Sequence, residues 1–281
     1  MKRILTIFAV LCLGVNAGAQ SVPSLLIPTD SRALGMGGVS YLPGNNKVDA
    51  SAFFGIWAPG TASNTIVGAD VRFRLGSKLS FCLGGKDFID KPYEIINDKG
   101  ASVGTYKPYD MVFSLGAGYD ITDAITAGAI LHTVSSSIAE KANGGAFFAD
   151  VYGAYKGNGW TAALAVRNLG TKINYGGEDN VLPALVALNG SWAPVSGLKI
   201  AAEADYLFNG ALMAGAGVEY CIANIAFVRA GYHYGDAQKA LASFASLGLG
   251  AQFTGIRLDA SWLFASQNLG NSILITLGYA F

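Results

Sequence analysis

The last ten residues, Ser272-Ile-Leu-Ile-Thr-Leu-Gly-Tyr-Ala-Phe281, carry a large apolar side chain at every second position: Ile273, Ile275, Leu277, Tyr279 and Phe281. Between them stand Ser272, Leu274, Thr276, Gly278 and Ala280, mostly small or polar. Successive side chains of a strand point to opposite faces, so this stretch builds a ribbon with one greasy face and one that is not. A soluble sandwich can use such a strand. A strand that stops on an aromatic, in a chain opening with an export signal, fits a transmembrane β-barrel of the bacterial outer membrane better.

The export signal is read from its layout. Lys2 and Arg3 are followed by an apolar run from Ile4 to Val15, too short to stay in a bilayer, and by small residues at Ala17-Gly-Ala19. Cleavage is expected between Ala19 and Gln20. Residues 1–19 are then a signal peptide and 20–281 an outer-membrane barrel, with 20–60 holding an N-terminal segment, a first strand and a short plug-like helix. Charged residues make up only 14% of the chain and the formal net charge is zero, so no basic footprint for nucleic acid is present. The mature chain keeps Cys82 and Cys221, far apart, and His132 and His233, equally separated. Neither a disulfide framework nor metal-ligand spacing results, and no cofactor is expected.

Counting back from Phe281, strand-like runs of about ten residues recur between turn signals. They fall at 272–281, 256–265, 241–253, 225–234, 211–222, 197–208, 183–193, 159–168, 144–156, 123–134, 109–120, 78–86 and 63–75, with Gly35–Leu42 as the first strand. That makes an all-β, antiparallel up-and-down barrel of about 14 strands. Alternate connections, near 76–78, 120–123, 156–159, 194–196, 223–224 and 254–255, are tight and are assigned to the periplasm. The opposite set includes the long segments 43–62, 87–108 and 169–182, assigned to the cell exterior. Bacterial barrels show this asymmetry, whereas a soluble sandwich has no reason to alternate in this way.

Charge placement follows the same period. Ile256, Leu258, Ala260, Trp262 and Phe264 share one face, while Arg257 and Asp259 share the other. An Arg or Lys facing lipid at the bilayer midplane costs about 2–4 kcal/mol, so the charges belong in the lumen. The expected inward set is Asp70, Arg72, Arg74, Asp110, Asp150, Arg167, Lys199, Glu203, Asp205, Glu219, Arg229, Arg257 and Asp259, with nearly balanced signs. Mutual pairing that stiffens the interior is the reading for most of them, and a path for a polar solute is the alternative. No catalytic constellation stands out, so no enzyme is expected.

Residues 46–60 differ from the rest. Asp49 as a helix N-cap and Pro59-Gly60 as a stop predict a short apolar helix. Its Phe53, Phe54, Ile56 and Trp57 are read as a plug in the barrel mouth or lumen; exposed, they would form a docking patch.

The run Asp30-Ser-Arg32-Ala-Leu-Gly35-Met36-Gly37-Gly38, close behind the signal, resembles the opening of the PorV/PorQ family. Leu115-Gly-Ala-Gly-Tyr119-Asp-Ile-Thr-Asp123, and Asp150-Val-Tyr-Gly-Ala-Tyr155 leading to Val166-Arg-Asn168-Leu-Gly170, are similar to that family's interior. The family is characteristic of the Bacteroidetes outer membrane and related to FadL-type barrels. The resemblance implies a 14-stranded barrel partly filled by its N-terminal segment, and a place in the type IX secretion system. PorV-like members shuttle cargo to a cell-surface sortase, and PorQ-like members anchor a surface partner. The family's usual Asn-Pro-Ala motif after the glycine run is missing; Ala58-Pro59-Gly60 stands near its place. The expected role is a binding, anchoring or shuttle component that meets outer-membrane lipid around its wall and a sortase, cargo or accessory protein through its outer loops. The alternative is a FadL-like channel for hydrophobic or small polar compounds.

Overall fold

The structure is a computed structural model that describes residues 20–40, 46–59, 63–265 and 270–281; the expected signal peptide lies outside them. Eighteen strands form among the described residues. They are β1 (Val48–Trp57), β2 (Asn64–Leu75), β3 (Leu79–Ile89), β4 (Tyr93–Ile96), β5 (Ser102–Tyr106) and β6 (Tyr109–Asp120). There follow β7 (Ile125–Ala139), β8 (Ala142–Lys156), β9 (Trp160–Gly170), β10 (Ile173–Asn174), β11 (Asp179–Asn180) and β12 (Leu185–Trp192). The last are β13 (Leu198–Leu207), β14 (Leu212–Ile222), β15 (Ala226–Gly235), β16 (Phe244–Phe253), β17 (Ile256–Ala265) and β18 (Asn271–Ala280).

Fourteen of them close into one antiparallel barrel, in the order β1, β2, β3, β6, β7, β8, β9, β12 and on through β18, which returns to β1. Closure leaves no strand edge unpaired, as a membrane span requires. The pairs β4–β5 and β10–β11 are small hairpins within the two longest connections, 90–108 and 171–184. All other links at that rim, and every link at the opposite rim, are short. The short-turn rim is the periplasmic one and the rim with the hairpins faces outward.

The first strand is not where the sequence placed it. Gly35–Leu42 was expected to open the barrel, yet Ser31–Leu34 is one turn of helix and Gly35 to Gly38 continue as a tight turn. Two local causes act together. The Asp30 carboxylate accepts hydrogen bonds from the backbone N–H groups of Arg32 (2.7 Å) and Ala33 (3.4 Å), capping the helix. Gly37 and Gly38 then take φ of 76° and 79°, which a strand excludes. Residues 41 and 42 of the expected strand lie outside the described ones.

The barrel is closed instead by Val48–Trp57, the stretch expected to be a helix in an outer loop. It pairs with β18 from Asp49↔Ala280 to Ile56↔Ile273, and with β2 from Val48↔Phe73 to Trp57↔Asn64. Asp49 is therefore a ladder residue and not an N-cap, and the connection expected over 43–62 shrinks to the residues between Trp57 and Asn64. The hydrogen-bonding edges of β18 and β2 specify a strand here, and such long-range pairing overrides the local helix signals.

The wall outside is apolar. Leu83, Leu115, Leu131, Leu188 and Leu249 stand exposed on its outward face. Tyr119, Tyr155, Trp160, Trp192, Tyr220 and Tyr279 ring the periplasmic rim, all exposed, with Tyr206 and Tyr232 nearer the other end. Aromatic rings at both interfaces around an apolar band are the girdles of an outer-membrane barrel. No helix among the described residues is long and apolar enough to cross a membrane; the strands do the crossing.

Candidate functional site: a lumen lined in two layers

The interior divides by height. Towards the outer rim, Trp57, Ile66, Phe88, Leu207, Phe244 and Leu263 turn inward and pack into one buried cluster, joined by Leu34 of the N-terminal segment. Phe244 lies edge-on to Trp57 (ring centroids 6.3 Å apart, 88°), and the His233 ring stacks on Phe244 at 4.8 Å. A second cluster of Val22, Val112, Val134, Phe148, Ile173 and Leu182 ties the start of the chain to β6, β7, β8 and the 171–184 connection. These clusters form an apolar layer beneath the outer mouth.

Below and beside this layer the lumen is charged. Every member of the inward set read from the sequence sits on the inner face of its strand, opposite lipid-facing neighbours. The densest group centres on Arg229. Its Nε donates to Glu219 Oε2 at 2.6 Å and its Nη1 to Asp259 Oδ1 at 2.6 Å. Arg257 Nε lies 2.9 Å from the other Asp259 oxygen. Arg32 reaches in from the N-terminal segment and holds both Glu219 oxygens, at 2.8 and 2.6 Å. Buried charges persist only when paired in this way, and the planar guanidinium fork suits two carboxylates at once. Arg167 Nη1 donates to Glu203 Oε1 at 3.0 Å, with Asp205 on the same face. At the periplasmic end Arg74 pairs with Asp120.

Asp110, near the outer rim, accepts from Ser24 Oγ at 2.6 Å. Asp70 accepts from Ser51 Oγ at 2.9 Å, and Asp150 accepts from the backbone N–H of Asn168 at 2.8 Å. Arg72 lines the cavity described below, and Lys199 faces inward opposite Glu219. Asp87 is the exception to inward charge: its cross-strand partners Val67 and Met111 both face outward, near the outer rim. There a lipid-facing charge costs only about 0–1 kcal/mol, so the position is tolerable.

The four residues expected as one plug or patch are split by the strand period. Phe53 (7% exposed) and Trp57 (5%) point inward, while Phe54 (52%) and Ile56 (41%) point to lipid. What fills the lumen is the stretch before them. From Gln20, bridged to Val181 at the outer mouth, the chain runs down the interior through the family-like residues Asp30, Arg32, Gly35, Met36, Gly37 and Gly38.

A cavity of ≈ 520 Å³ lies alongside this segment, lined by it, by β1, β2, β3 and β6 to β9, and by single residues of the opposite wall such as Leu185, Glu203, Met213 and Thr276. Phe53, Phe148 and Leu185 supply apolar surface; Arg72, Lys86 and Asp150 supply charge. Lys86 and His132 were not singled out from the sequence. His132 bonds Ser114 Oγ through Nδ1 (2.7 Å), stacks on Phe148 at 4.6 Å, and has Nε2 3.4 Å from Asp150. The signal for Lys86 was its even position on β3, opposite Leu79, Phe81 and Leu83, but Gly84-Gly85 and the outward Asp87 blur that alternation.

No protein-family model and no curated relative matches the chain. Solved structures do. The Pseudomonas putida toluene transporter TodX superposes with a TM-score of 0.59 at 12% identity, over 95% of this chain and 99% of that one. The Ralstonia pickettii toluene transporter TbuX gives 0.57 at 12%, over 95% and 96%. A Pseudomonas aeruginosa FadL homologue gives 0.54 at 12%, over 94% and 96%. The chain therefore has the FadL-like fold, a 14-strand barrel of the outer membrane.

Proposed function

We propose that this protein is a passive outer-membrane channel for small hydrophobic or amphipathic compounds. The observation that carries the reading is the apolar layer of Trp57, Phe88, Leu207, Phe244 and Leu263 set over a ≈ 520 Å³ cavity inside a FadL-like barrel. A cavity of that size suits a small organic molecule, since ligand pockets run from about 300 to 1,000 Å³. The apolar layer resists hydrated ions, which lose their water to cross it, and admits compounds that gain from apolar contact. The likeness to two toluene transporters supports the class of solute. The test is uptake of a hydrophobic aromatic compound into liposomes carrying the purified barrel, alongside planar-bilayer conductance. Uptake above protein-free liposomes with negligible ion current is expected; an inert barrel in the uptake assay overturns the proposal.

A second reading rests on the Asp30-to-Gly38 run, the PorV/PorQ-like opening. On that reading the protein anchors or shuttles a partner of the type IX system, using the hairpins within 90–108 and 171–184 as the contact surface. Pull-down from outer membranes is expected to recover a sortase, cargo or surface accessory protein. Normal cargo secretion in a deletion strain, with no partner recovered, removes this reading.

A further inference from the structure

The N-terminal segment forms one side of the cavity, through Asp30, Arg32, Ala33, Gly38 and Ser40, and β2, β3, β6, β7 and β8 face it across the opening. Residues 31–40 rest against β13 to β18, and the bed beneath them is made of glycine. A Cβ added at Gly217 would stand 2.5 Å from the carbonyl oxygen of Met36 and 2.6 Å from its Cα. Gly215 and Gly231 are equally pressed against Gly37, and Gly248 against Gly35. Backbone meets backbone here, so the neighbours cannot yield by turning a side chain. Met36 is fully buried as a result.

Polar contacts fasten the same stretch along its length. Ser31 Oγ lies 2.8 Å from Thr276 Oγ1, and the Ser31 N–H donates to the same oxygen at 3.2 Å. Arg32 grips Glu219, which Arg229 holds from the other side. The Gly37 N–H donates to Ser246 Oγ at 3.1 Å, and the Ser40 N–H to Glu203 Oε2 at 2.7 Å. These anchors reach four different strands, β13, β14, β16 and β18, and through Glu219 they meet Arg229 of β15. Expelling the segment would strip all of them at once and leave Glu219 without its Arg32 partner.

We propose that residues 31–40 are a permanent second wall and not a movable plug, and that solute passes through the slot between them and the β2, β3, β6, β7 and β8 wall. Arg72, Lys86, His132 and Asp150 are then among the side chains that solute meets on the way, and they set which head groups pass. The inference takes from the channel reading only what moves; where the segment stays is argued from its own contacts.

The decisive experiment tethers the segment. In the full chain carrying Cys221→Ser, the pair Ser31→Cys and Thr276→Cys places two sulfurs where the hydroxyls now touch. Native Cys82 lines the cavity and reports on access to it. Outer-membrane vesicles are treated with a small thiol reagent and the Cys82 peptide is quantified by mass spectrometry, with the tether oxidised or reduced. Liposome uptake of the aromatic probe is measured on the same two states. Equal labelling and equal uptake in both states are expected. A fall of about tenfold or more in either on oxidation, restored by reductant, overturns the proposal, because opening would then need the segment to leave.

Hydrogen exchange on the unmodified protein supplies a second measurement that no substitution can spoil. The amides of Gly37 and Ser40 are expected to exchange as slowly as those of β14 and β15, and rapid exchange there refutes the permanent wall. If the untethered parent shows no uptake, the channel reading falls alone, since Cys82 labelling and amide exchange still decide where the segment sits.

Discussion

Strand β1 offers a sharp test, because a helix and a strand over residues 48–57 predict opposite responses to one pair of substitutions. Ser51 and Phe54 are three apart. On a helix they share a face and would respond alike. On the observed strand Ser51 points to the cavity beside Asp70, and Phe54 points to lipid between Ile275 and Val67. At a rise of about 3.3 Å per residue and a tilt near 40°, Phe54 lies about 4 Å from the middle of the membrane-spanning stretch. A lipid-facing arginine costs about 2–4 kcal/mol at the midplane and about 0–1 kcal/mol at the interfaces, so Phe54→Arg should cost about 2–3 kcal/mol. That is roughly a 30- to 160-fold shift towards the unfolded state. Ser51→Arg gives up one hydrogen bond and sets a cation beside the Asp70 carboxylate, so its cost should stay at about 1 kcal/mol or less. Guanidinium titration of barrels refolded in lipid vesicles, followed by tryptophan fluorescence, measures both. Equal destabilisation by the two substitutions, or none from Phe54→Arg, would refute the strand assignment and the barrel closure built on it.

Three further outcomes are expected. Arg229→Leu leaves Glu219 and Asp259 buried with one cation fewer each and should lower stability by about 3–5 kcal/mol in the same titration; Arg229→Lys should recover only part of that, because an ammonium cannot span both carboxylates. Phe244→Ala removes the ring that meets both Trp57 and His233, so ion current across planar bilayers should rise above the wild-type level, together with a loss of about 3–5 kcal/mol in stability. Gly217→Val puts carbon where Met36 backbone lies and should dislodge residues 31–40 while the barrel stays folded, read as new trypsin cleavage after Arg32; continued protection of Arg32 would contradict the glycine-bed argument.

The strands that were legible in the sequence are those whose inner face meets the charged part of the lumen. In β17, Arg257 and Asp259 alternate with Leu258 and Ala260, so the period of two is plain and both ends come out right. The same contrast places the charges of β2, β13, β14 and β15 on the correct face. Strand β1 hid because its inner face meets the apolar layer. Phe53 and Trp57 look inward while Phe54 and Ile56 look outward, and a run that is greasy on both sides has no period to read. The N-terminal segment hid for another reason. Its Gly-Met-Gly-Gly run carries strand-like alternation, but what gives it a place is a recess cut by Gly215, Gly217, Gly231 and Gly248 some 180 to 210 residues later in the chain. Only pairing in space brings those glycines into one bed, and no local pattern announces it.

The same two layers explain how a lumen so rich in charge can serve an apolar solute. Arg229, Arg32, Arg257 and Arg167 are each committed to carboxylates at 2.6–3.0 Å. A hydrated ion entering from outside would have to displace those pairs after first shedding water against Phe244 and Trp57, and each step is uphill. A small apolar molecule faces neither cost. It gains dispersion contacts in the upper layer, and in the cavity below it can lie along Phe53, Phe148 and Leu185 without breaking an ion pair. The ion pairs thus hold the second wall in place and keep those charges occupied, while Arg72, Lys86 and the His132–Asp150 pair line the cavity as the polar groups that discriminate among head groups.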